Sequence, residues 1–112
     1  MRRLYGVGKW VMETAVKDNP TASRFEITVD DELVGYLDYR EADGEYSIPH
    51  TRVFSQYEGR GYGATLVIGA LETIRERRGT VLPYCSFVPK VMREHPELAD
   101  LVPASERASF GV

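Results

Sequence analysis

The chain has 112 residues, 43% of them hydrophobic, which allows one domain around one modest core. With 14 basic and 17 acidic residues its formal charge is −3, so bulk electrostatics gives no case for nucleic acid, although a local basic patch stays open. A single cysteine, Cys85, excludes an internal disulfide, no apolar run approaches the roughly 20 residues of a membrane helix, and the start has no secretory h-region. These features make a cytoplasmic domain without a membrane partner the default expectation.

Residues 1–12 mix basic, glycine and aromatic residues without a clear period. They read as an N-terminal extension with no assigned structure, open to being flexible. Asn19-Pro20 is a turn signal. Phe25, Ile27 and Val29 then alternate with polar neighbours at the period of a half-buried strand. Asp30-Asp31-Glu32 is a polar hairpin turn, and Leu33 to Tyr39 reads as the partner strand. Asp43-Gly44 signals a second hairpin turn into a third strand, Tyr46 to Val53, where Pro49 favours a bulge or a missing ladder bond.

Leu66, Val67, Ala70, Leu71 and Ile74 recur at helical spacing, and Gly79 suits the end of that helix. Thr80 to Tyr84 reads as a short buried strand. Ser86 to His95 reads as a second helix with Phe87, Val88, Val91 and Met92 on its apolar side and Pro96 ending it. Glu97 to Val102 allows one more helical turn, and the polar residues 104–112 read as a frayed tail. One long helix between the third strand and Thr80–Tyr84 is a crossover, so those two strands should be parallel. The expected fold is α+β, a mostly antiparallel mixed sheet with one parallel pair, in a single domain over residues 13–103.

Ahead of the long helix lies Tyr57-Glu58-Gly59-Arg60-Gly61-Tyr62-Gly63-Ala64. The free N–H groups of a first helical turn and the helix dipole attract anions, and glycine lets a ligand approach the backbone. A plain helix-capping turn would use the same residues. The loop is not a Walker loop, because no Gly-Lys-Ser/Thr follows. It is a poor dinucleotide fingerprint, because its glycines have the wrong spacing and no βαβ unit precedes them.

In their order and separation, His50-Thr51-Arg52-Val53, Glu58-Gly59-Arg60-Gly61-Tyr62-Gly63, Pro83-Tyr84-Cys85-Ser86-Phe87-Val88 and Arg93-Glu94-His95-Pro96 resemble the Gcn5-related N-acetyltransferase (GNAT) superfamily, in particular its small single-domain members. The weaker segment Asn19 to Phe25 fits as well. The resemblance implies a GNAT-like sheet with a splayed parallel strand pair. It also implies acetyl-CoA as the donor co-substrate, with its pyrophosphate on backbone N–H groups of the loop. The implied cofactor-binding residues are Val53, Phe54, Gly59, Arg60, Gly61, Tyr62, Gly63 and Ala64. The superfamily loop pattern is Gln/Arg-x-x-Gly-x-Gly/Ala, and here its first position is Glu58. A carboxylate repels a pyrophosphate, so Glu58 is expected to point away, leaving Arg60 as the nearby cation.

Amine acetylation needs a deprotonated amine, a donor for the oxyanion and an acid for the departing thiolate. The bulged stretch Pro49 to Val53 is the expected source of an unpaired N–H. Many members of the superfamily use a tyrosine as the acid, but the corresponding positions here, Val91 and Met92, cannot serve. Cys85, between a strand end and a helix start, is the natural replacement as nucleophile or acid, since a helix N-terminus favours a thiolate. A small buried hydrophobe is its bland alternative. His50 is a candidate base or a packed structural histidine, and His95 reads as a helix terminator. No cluster has metal-ligand spacing, so no metal is expected. The implied activity is N-acetyl transfer to an amine of a small molecule or protein. A CoA-binding module without turnover and a protein-interaction domain are the alternatives.

Overall fold

The computed structural model describes residues 3–5, 9–11 and 13–112. The expectation for residues 1–12 falls partly outside these. Within them, β1 (Arg3–Tyr5) and β2 (Lys9–Val11) pair antiparallel. The main sheet consists of β3 (Thr14–Asn19), β4 (Arg24–Val29), β5 (Glu32–Ala42), β6 (Glu45–Val53) and β7 (Thr80–Leu82), adjacent in that order. The first four form an antiparallel meander, and β7 runs parallel to β6. Strand β3 is an addition to the sequence expectation. It lies at the sheet edge, and none of its side chains is fully buried, so it carries no apolar alternation.

A 3-10 turn, Pro20–Ala22, joins β3 to β4, and two-residue turns join β4 to β5 and β5 to β6. Asp30 and Asp31 have φ of 51° and 68°, and Asp43 and Gly44 have φ of 52° and 80°. Left-handed backbone at both central positions matches the twist of a tight hairpin, and Asp, Asn and Gly tolerate it best. Between β5 and β6 the register shifts: Asp38 faces His50 but Arg40 faces Ser47, so β6 carries one extra residue at Ile48-Pro49. Proline lacks the N–H that a regular ladder needs there.

Helix α1 (Tyr62–Glu76) crosses one face of the sheet and buries Leu66, Val67, Ala70, Leu71 and Ile74 against Phe25, Ile27, Leu37, Ile48 and Val81. These five are the apolar stripe read from the sequence. The helix ends differently from expectation. Arg78, not Gly79, takes the left-handed position, with φ 58°. The Arg78 N–H reaches the Arg75 carbonyl at 2.9 Å and the Gly79 N–H reaches the Ile74 carbonyl at 2.9 Å, a Schellman closure.

Helix α2 (Phe87–Glu94) buries Val88, Val91 and Met92, and Pro96–Leu101 continues as a 3-10 segment with Leu98 and Leu101 in the core. Residues 104–112 are not a structureless tail. A 3-10 turn, Ala104–Glu106, leads into α3 (Arg107–Phe110), and Phe110 and Val112 pack on the core. The Phe110 ring lies edge-on to Tyr84 at 5.3 Å, and Arg107 Nε donates to the Val102 carbonyl at 2.9 Å. Two apolar side chains and two arginines, Arg107 and Arg93, hold this segment, too sparse a pattern to stand out in a polar stretch.

Candidate active site

Strand β7 pairs with β6 only from Glu45 to Ser47. One further bond, from the Cys85 N–H to the Ile48 carbonyl at 2.8 Å, ties the two chains, and beyond it they separate. On its other side β6 stays in the sheet as far as the Phe54 N–H, which donates to the Val34 carbonyl at 2.9 Å. Backbone groups of an antiparallel strand alternate in direction, so those of Thr51 and Val53 face the gap that β7 has left. These two residues carry the backbone groups within Pro49 to Val53 that face away from β5.

The bulge also decides which side chains face α1. Tyr46 and Ile48 are buried beneath the helices. Strict alternation would add His50 and Arg52 to that face. The extra residue at Ile48-Pro49 inverts the pattern, and Thr51 and Val53 take the inner positions. His50 is consequently exposed on the outer face, 6.0 Å from the Tyr36 ring, where Arg24 also lies over Tyr36 at 4.7 Å. Phe54 shares that face, edge-on to Tyr36 at 6.1 Å.

The glycine loop closes one end of the gap. Ser55–Tyr57 is a 3-10 turn, and Gly59 and Gly61 have φ of +78° and +80°, so the chain reverses into α1 with Gly61 as its N-cap. Among the described residues, no N–H of residues 59–64 donates to a backbone carbonyl. The loop is pinned from behind by Tyr57, whose hydroxyl donates to the Glu32 carboxylate, and this bond pushes the phenol pKa above its usual value. Helix α1 approaches α2 closely here. A Cβ on Gly63 would lie 3.1 Å from the Phe87 ring, so any other residue requires that ring to give by a few tenths of an ångström.

Between β6, the loop and α2 lies a cleft of about 360 Å³. Val53, Gly59, Gly61, Tyr62, Gly63 and Ala64, all expected from the sequence, line it together with Tyr57 and Glu58. Helix α2 contributes Phe87, Lys90, Val91 and Glu94. A second cleft of about 260 Å³ shares Val53, Glu58, Gly63 and Phe87 and adds Thr51.

The other residues singled out in the sequence lie as follows relative to these clefts. Phe54 and Arg60 line neither cleft, the first because its N–H is consumed by β5 and its ring is turned outward. Glu58 lines both. The cation on the wall is Lys90 rather than Arg60, a residue that sequence reasoning missed because it lies on the polar side of a short helix. His50 and Cys85 are not brought together on one wall. Cys85 is half-buried against the core, immediately before α2, and lines neither cleft. Among the described residues no three His, Cys, Asp or Glu side chains converge as a metal site, and no helix is long and apolar enough to cross a membrane.

An antiparallel sheet opened by one parallel strand, with a bare helix N-terminus at the mouth of the opening, defines an acyltransferase-like class of α+β fold. The chain belongs to the GCN5-related N-acetyltransferase family, whose profile matches residues 24–101. It is similar to the NMR solution structure of a GCN5-like candidate N-acetyltransferase from Staphylococcus aureus, with 26% identity and a TM-score of 0.59 over 79% of this chain and 86% of that one. No curated protein is significantly similar to the chain in sequence.

Proposed function

We propose that this chain is an acetyl-CoA-dependent N-acetyltransferase that modifies an amine of a small molecule or a protein in the cytoplasm. The observation that carries this reading is the set of undirected N–H groups at residues 59–64, set at the end of an apolar cleft beside the opened strand pair. Such N–H groups at a helix start suit a pyrophosphate. The edge of Val53 offers a backbone donor and acceptor to an amide-bearing arm, and Phe87 and Val91 provide apolar walls. Repulsion from Glu58 favours phosphates on the Tyr62–Ala64 side, and Lys90 supplies the compensating charge.

When bound, acetyl-CoA supplies the activated thioester. The chain's part is to orient it and to handle charge. Thr51 and Val53 present the free strand edge toward the position of a reacting carbonyl, the arrangement an oxyanion requires. Cys85 stands where the two strands part, its own N–H spent on Ile48. We assign its thiol either the proton given to the departing thiolate or the acceptance of the acetyl group itself. His50 serves as a base only for an amine that enters from the outer face of the sheet. A CoA-binding module without turnover is the second reading, favoured by the absence of an acidic hydroxyl at Val91 and Met92.

Thermal melting with acetyl-CoA tests the binding step. A ligand that binds only the native state must raise the melting temperature, by about 2.7 kcal/mol of stability at a hundredfold excess over its Kd. No rise at millimolar acetyl-CoA refutes the proposal. A rise without acetyl transfer across an amine panel favours the second reading, and an 42-dalton adduct lost in Cys85→Ala identifies covalent transfer, since an acetyl group replaces one proton with a mass gain of about 42 daltons.

A further inference from the structure

The Thr51 hydroxyl is the buried side-chain polar atom left without a hydrogen-bond partner among the described residues. A buried hydroxyl without a partner costs free energy, so its retention calls for an explanation. Thr51 lines the smaller cleft with Val53, Gly63 and Phe87, two residues along β6 from Val53 and farther from the glycine loop. Its oxygen is shielded from solvent while the rest of the side chain is partly open. No bond holds it in its present rotamer, and donation into the cleft requires only a change of χ1.

Resting on the function proposed above, we infer that the Thr51 hydroxyl donates a hydrogen bond to the acyl carbonyl of the bound thioester. The loop fixes the polarity of the ligand: its anionic end lies at residues 59–64, so its acyl end extends along β6 toward Thr51. Two residues of strand add about 7 Å in that direction. A carbonyl is an acceptor, and a threonine hydroxyl is the donor the inner face of β6 provides there.

The test compares Thr51→Val and Thr51→Ser with wild type, by calorimetric titration with acetyl-CoA and with free coenzyme A, and by melting of the unliganded proteins. Valine keeps the shape and removes the unpaired group, so the unliganded variant should melt at the wild-type temperature or above it. Its affinity for acetyl-CoA should fall about five- to tenfold, with coenzyme A affinity changed less than about twofold. Serine should restore acetyl-CoA binding. Equal weakening toward both ligands, or no weakening, overturns the assignment. So does a drop of several degrees in the unliganded Thr51→Val protein, because it reveals a structural partner. If wild type binds neither ligand, the proposed function falls first and takes this inference with it.

Discussion

Gly61→Ala isolates the backbone contribution of the loop. At Gly61 φ is +80°, and a Cβ built there meets nothing within 4 Å, so the substitution creates no clash. What remains is the intrinsic penalty of left-handed backbone for an L-residue, about 1–2 kcal/mol. For 112 residues the unfolding entropy is ~0.24 kcal/mol/K near the midpoint, so each kcal/mol lowers Tm by ~4 °C. Gly61→Ala should therefore melt about 4–8 °C below wild type. Gly61→Asn should lose less than half as much, because asparagine tolerates this region. The N–H groups belong to the backbone and survive both changes, so the rise in Tm on adding acetyl-CoA should be retained in each folded variant. Scanning calorimetry with and without ligand reads all three quantities. An alanine variant as stable as wild type, or an asparagine variant as damaged as the alanine one, would refute the left-handed turn as the entry to α1.

A Cβ on Gly69 would lie 2.9–3.0 Å from three atoms of Val16, so Gly69→Ala should overpack the contact between α1 and β3 and cost about 1–3 kcal/mol. Adding Val16→Ala should recover most of that loss in a double-mutant cycle followed by urea unfolding, and simple additivity of the two would show that no such contact exists. Burial and the hydrogen bond to Asp18 push the Tyr39 phenol up from 10.0 to about 12. A folded pKa above the unfolded one gives a stabilisation that is complete below pH 10 and lost as pH rises through about 12. Tyr39→Phe, lacking that bond, should be less stable than wild type by about 1 kcal/mol at neutral pH. The gap should close across this alkaline window in unfolding titrations, and a pH-independent gap would contradict the assignment.

What could be read from the sequence were the features whose signal is local. The stripe of α1 repeats at 3.6 residues with large apolar side chains, and every residue assigned to it is buried. The hairpin turns carry aspartate and glycine at the positions where the backbone is left-handed. Strand β3 escaped because an edge strand with no fully buried side chain shows no apolar alternation. The contribution of α2 to the cleft escaped for another reason. Phe87 and Val91 were legible as an apolar side, but whether that side meets only core or also a cleft depends on how far β7 departs from β6, and that separation has no local signature.

The clearest case is Pro49. It is legible as a bulge, but which later side chains of β6 change face depends on where the extra residue sits, at Ile48-Pro49. Counting by twos from Tyr46 and Ile48 would place His50, a candidate base in the sequence, on the inner face. The inserted residue moves the inner face to Thr51 and Val53, and it does so at the point where β7 leaves. One irregularity thus performs three tasks. It frees the strand edge that faces the gap, it places a small hydroxyl and a valine on the wall in place of an imidazole and a guanidinium, and it sends His50 and Arg52 to the other side of the sheet. The inner wall of β6 is left with no titratable side chain from Ile48 to Val53, so on the proposed function the proton chemistry falls to groups off this strand: Tyr57, Glu58, Tyr62, Lys90 and Glu94 line the cleft, and Cys85 lies on the approach to α2.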